Sequence, residues 1–154
     1  MMIRWLLAAV HLSAFGFALA GIAGRHRALR RVVASPQAAD LSGVFRSDAM
    51  WGLSALVLIL TGLARAFGGF EKGGAYYLHA PLFHLKMGVF LLILLLELGP
   101  MVGLIRWRIA LKRGVAPDLA RARGYARTGH LQAVLMILMV FAAAGMARGI
   151  GLPG

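Results

Sequence analysis

The chain has 154 residues, 60% of them hydrophobic and only 14% charged, where a soluble domain carries about a quarter. Seventeen Lys and Arg with five Asp and Glu are too few to coat a domain of this size in water, so most of the surface must face lipid. With no cysteine, disulfide frameworks, thiolate metal sites, iron–sulfur clusters and covalently attached haem are excluded. The net charge of +12 comes without the basic helix or aromatic–basic interleaving of a nucleic-acid binder.

Four apolar stretches follow in chain order, at residues 3–24, 49–67, 82–105 and about 128–147. At about 1.5 Å per residue each reaches roughly 28 to 36 Å, enough to cross a hydrocarbon layer of about 30 Å as a helix. The pattern predicts an all-α integral membrane four-helix bundle forming a single domain over residues 1–154. The connections over 25–48 and 106–127 hold most of the cations, among them Arg25, Arg27, Arg30, Arg31 and Arg46 in the first and Arg121, Arg123 and Arg127 in the second. The connection over 68–81 has only Lys72. The positive-inside rule then puts both termini on the outer, periplasmic side of a bacterial inner membrane. Ala18-Leu19-Ala20 resembles a signal-peptide cleavage site, but only Arg4 precedes the apolar run and four arginines follow it, which is the charge order of an anchor.

Ionisable side chains at membrane depth are costly and mark function or pairing. His11 on the first helix and Lys86 on the third fall at nearly the same level of the outer half. Lys86, Phe90, Ile93 and Glu97 share one stripe, which should face inward. His84 lies about 200° from Lys86 and should point to the headgroups. Asp48 and His130 belong near the inner interface, with Arg46 and Arg127 as ion-pair candidates. Pro100 removes a helical hydrogen bond near Leu96 and should kink the third helix beside Glu97, opening a wet pocket. Ala14, Ala18 and Gly21 share the stripe of His11 on the first helix and permit close helix approach or room for a flat ligand, and Gly52, Ala55 and Gly62 beside Trp51 on the second read as a packing stripe. Tyr76, Tyr77 and His79 in the outer connection suit an aromatic anchor or a lid.

A histidine and a desolvated lysine at one level are chemically suited to be axial ligands of a non-covalent b-type haem, since imidazole and a neutral amine both bind iron. The competing reading has His11 bonded to a nearby carbonyl while Lys86 snorkels outward.

The stretches RSDAMWG (46–52), TGLARAFGGFEKGGAYYLHAPLFHLKMG (61–88), LELGPMVGLIRWR (96–108) and MARG (146–149) resemble a bacterial domain-of-unknown-function family of four-helix membrane proteins. More loosely, the layout of His11, Arg25 or Arg27, Arg46 and Lys86 is similar to HemJ-type protoporphyrinogen IX oxidases. That resemblance implies haem binding by a first-helix histidine and a third-helix lysine, matching His11 and Lys86. The expectation is therefore a haem b redox protein acting on a membrane-associated porphyrinogen or quinol. His11 and Lys86 are its metal ligands, His84 the reserve, and Glu97 the proton-handling group. Its partners would be the lipid bilayer and a membrane redox protein, with a homo-oligomer allowed and no nucleic acid. A non-enzymatic scaffold, or a proton- or ion-conducting bundle lined by Glu97, Asp48 and His130, are the alternatives.

Overall fold

The computed structural model describes residues 2–36, 40–69, 79, 81–148 and 150. It contains four long helices, α1 (Met2–Ala34), α2 (Ser42–Phe67), α3 (Pro81–Lys112) and α4 (Ala122–Ala147), with no strand among the described residues. All four are long and apolar enough to cross a membrane. Large side chains such as Leu53, Leu60, Leu91, Leu95 and Phe141 are more than half exposed, and lipid is the environment in which that exposure carries no hydration penalty.

Every helix is longer than its apolar window, and each overshoots at the same end. Between about 9 and 15 Å of helix continues past the windows at the arginine-rich end. Residues 25–34, read from hydropathy as part of a connection, belong to α1. Ala28, Leu29 and Val32 are buried there at helical spacing, and Ala, Leu and Arg are good helix formers whatever their hydropathy. The true turns are short. Asp40 opens α2 by accepting hydrogen bonds from the Ser42 backbone N–H and hydroxyl, both at 2.8 Å. α3 closes with Gly114 at φ +69°, where Val115 N–H bonds the Ala110 carbonyl and Gly114 N–H that of Leu111, a Schellman arrangement that only glycine adopts cheaply. Trp107 Nε1 donates to the Asp118 carbonyl at 2.8 Å and fastens the turn before α4 back onto α3.

α1 packs against α2 and α4, and α3 packs against α4; α2 and α3 make no comparable backbone approach. The interior divides into two apolar layers. The first, at the end away from the arginines, centres on Ala18, Ile22, Trp51, Leu58, Ile93 and Met136. The second, at the arginine-rich end, centres on Leu29, Val32, Val44, Leu104, Trp107 and Ala126. Close approach of α1 to α2 depends on Gly21, whose absent Cβ would fall 2.8 Å from the Trp51 backbone nitrogen, and on Gly24, which faces the Ser47 hydroxyl. The expected small-residue stripe on α1 is therefore a packing surface, with Ala14, Ala18 and Gly21 all buried. On α2 the expectation holds for Ala55, which is buried, and for Gly62, which abuts the His11 ring, whereas Gly52 is exposed with open space beside it.

Candidate functional site

Between the two apolar layers lies a polar centre to which all four helices contribute. Because Gly21 and Gly24 bring α1 onto α2, the next residue, Arg25, enters the bundle with its side chain wholly enclosed. Its Nη1 donates to Glu97 Oε1 at 2.5 Å and to Asp48 Oδ1 at 2.9 Å. Its Nη2 donates to Glu97 Oε2 at 2.6 Å and to Gln132 Oε1 at 3.0 Å. The pairing with Glu97 is the two-pronged geometry that guanidinium and carboxylate planes favour. Among the buried side-chain nitrogens and oxygens of the described residues, Arg25 Nε alone lacks a hydrogen-bond partner.

The other members complete the set. Gln132, itself fully buried, donates through Nε2 to Glu97 Oε2 at 2.9 Å and to the Ile93 carbonyl at 3.1 Å. Asp48 Oδ2 accepts from Arg108 Nη2 at 2.9 Å, and that nitrogen also reaches the Phe45 carbonyl. The Arg108 guanidinium lies 4.9 Å from the centre of the Phe45 ring. With Asp48 and Glu97 ionised the cluster carries two positive and two negative charges, so the centre is balanced, and the side chains bridge α2 to α3 where their backbones stay apart.

This corrects the placement of Arg25 in a connection, because hydropathy averages away a single arginine that leaves water inside a continuing helix. It also supplies different partners for Asp48, which pairs with Arg25 and Arg108 rather than with Arg46. The inward stripe of α3 is as expected: Ile93 is fully buried, Phe90 packs on the core, and Glu97 is 12% exposed. Beside Glu97, where a wet pocket was expected, Arg25 and Gln132 fill the space, and α3 runs on through a buried Pro100. Gln132 and Thr61 were missed because neither ionises. Their signal was a polar side chain on a face otherwise made of buried Gly129, Met136 and Met139, or of Leu58 and Ala55.

His11 sits nearer the other end of α1, with Nδ1 2.7 Å from Thr61 Oγ1 on α2. The Thr61 hydroxyl gives its one proton to the Val57 carbonyl at 2.6 Å, so it must accept from His11. Nδ1 of His11 is thus the donor in this pair. Lys86 is half-buried and His84 exposed on α3. About 21 Å of helix separates His11 from Arg25 and about 16 Å separates Lys86 from Glu97, so the two Cα levels differ by roughly one helical turn. His130 does not join the polar centre; its ring lies 5.6 Å from that of His26, whose Nδ1 donates to the Ala126 carbonyl at 2.7 Å. Tyr76 and Tyr77 lie outside the described residues, and His79 is exposed. Among the described residues no group of three or more His, Asp or Glu side chains converges as a metal site.

Residues 3–151 match the family described as "Predicted membrane protein (DUF2214)", and the chain belongs to that family. With four candidate spans it is a multi-pass membrane protein. No curated protein and no solved structure matches it.

Proposed function

We propose that the protein is a b-type haem-binding redox module of a bacterial inner membrane, with its arginine-rich end in the cytoplasm and both termini in the periplasm. The single observation that carries this reading is the Thr61 hydroxyl accepting a hydrogen bond from His11 Nδ1. Metal-binding histidines characteristically donate the far ring N–H to a fixed acceptor, which orients the ring and raises the basicity of the other nitrogen. Lys86, half-buried on the inward stripe of α3, is the second ligand, and His84 is the reserve. The donor types fit the group: an imidazole from α1 and an amine from α3 are both nitrogen donors to iron.

When bound, haem supplies one-electron chemistry, suited to electron transfer or to oxidising a porphyrinogen or quinol. The chain's own residues perform the remaining tasks. Thr61 aims the imidazole and holds its proton on Nδ1. Arg25, Asp48, Glu97 and Gln132 hold the four helices in place, and Glu97 in that setting is a positioning residue. The wall of aliphatic side chains excludes water from the outer half.

The test is an absorption spectrum, oxidised and reduced, of protein purified in detergent from haem-replete cells. A Soret band is expected that vanishes or shifts in His11→Ala and in Lys86→Ala. A colourless and well-folded preparation refutes the reading.

The balanced polar centre favours a second reading, a non-enzymatic scaffold in a larger membrane complex. It predicts co-purifying membrane partners and unchanged complex formation in His11→Ala.

A further inference from the structure

The arginine-rich end has more charge than its own groups can neutralise. Asp48 is committed to Arg25 and Arg108. Of the two aspartates in the turns, Asp40 is committed to Ser42, and Asp118 accepts from the Ala120 backbone. Arg30, Arg123 and Arg127 are exposed and have no ion pair or hydrogen bond among the described residues.

These three arginines share one seam. His26 on α1 touches α4 at Ala126 and packs against Gly129. Arg30 is one turn beyond His26 on the same face of α1. On α4, Arg127 and Arg123 are one and two turns from His130, again on one face. Since α1 and α4 run in opposite directions, Arg30 falls between the levels of Arg123 and Arg127. The His26–His130 pair closes the seam at the point where the apolar windows end, the edge of the hydrocarbon, so the arginines one to two turns further along lie in the headgroup region.

We propose that this α1–α4 seam binds the phosphate of an anionic phospholipid in the leaflet on the arginine-rich side. The ligand is held by Arg30, Arg123 and Arg127, and its acyl chains lie along the exposed aliphatic side chains of α4. Guanidinium is the group suited to phosphate, and a cationic cleft between membrane helices at the headgroup level is where it would be met. The site is independent of haem.

The test uses the full chain in detergent, equilibrated with vesicles of equal phosphatidylglycerol and phosphatidylcholine, with bound lipid counted by mass spectrometry. Retained phosphatidylglycerol is expected. The Arg30→Gln/Arg127→Gln variant should lose at least about fivefold more of it than the equal-charge control Arg106→Gln/Arg113→Gln on α3 and its following turn. The pair Arg123→Gln/Arg127→Gln, which leaves α1 untouched, should behave like the first variant. Equal loss in the control, or equal retention of phosphatidylcholine, overturns the proposal in favour of diffuse attraction. Displacement by millimolar inorganic phosphate overturns the lipid assignment in favour of a soluble phosphate ligand.

Discussion

Arg25 and Glu97 meet through both prongs of each side chain, at 2.5 and 2.6 Å, with the guanidinium fully enclosed and the carboxylate nearly so. An enclosed ion pair of this kind is costly to break from one side and much cheaper to replace whole, because the damage lies in the charge left behind.

Arg25→Met should therefore destabilise the bundle by about 3 to 5 kcal/mol, since Glu97 and half of Asp48 lose their counter-charge together. Arg25→Met with Glu97→Leu should recover part of that loss, leaving Asp48 with Arg108. Unfolding midpoints in detergent measure both, and a double variant no better than the single would show that the pair is not the unit.

Thr61→Val removes the acceptor for His11 Nδ1–H at nearly constant volume and should cost about 1 kcal/mol. In haem-loaded protein the same change should shift the Soret band or the midpoint potential, and Thr61→Ser should restore it. A spectrum indifferent to Thr61→Val would separate His11 from any iron-binding role.

Two glycines of the α1–α2 pair make opposite predictions. Gly21→Ala sets a methyl against Trp51 backbone atoms, which cannot rotate away, and should cost about 1 to 3 kcal/mol. Gly52→Ala meets open space and should raise stability by about 1 kcal/mol through helix propensity. Thermal melts of the two variants against the parent give the comparison.

Asp40 gives the start of α2 a pH dependence. Its carboxyl is held below the ordinary value chiefly by the Ser42 backbone N–H, and then by the Ser42 hydroxyl. A carboxylate whose acidity is strengthened by folding contributes fully above its unfolded value of about 3.9, and that contribution disappears as pH falls through the lower folded value. Protection of the Ser42 amide, taken as its exchange rate relative to the intrinsic rate at each pH, should fall below about pH 4, and Asp40→Asn should flatten that dependence.

The four spans were legible because an apolar run about 20 residues long has few meanings. The inward stripe of Ile93 and Glu97 was legible because charge must avoid lipid, which leaves one direction for it to face. The polar centre was not. Arg25 stands one residue beyond its apolar window, among other arginines that do face out, and only the close approach at Gly21 and Gly24 singles it out. Gln132 and Thr61 are uncharged, so a search for ionisable groups passes over them. The helical overshoot was hidden for a related reason: hydropathy measures where lipid ends, whereas the backbone keeps its hydrogen bonds for as long as one face stays buried.

The placement of that charged layer between two greasy ones sets how the helices align along their length. Sliding any one of them by a single turn, about 5.4 Å, would carry its polar member into a neighbouring layer and strand opposite charges in hydrocarbon. Aliphatic contacts alone tolerate such slippage, since one leucine substitutes for another. The salt-bridged centre therefore acts as the bundle's detent, and whatever chemistry occurs at the far end inherits its axial alignment from there.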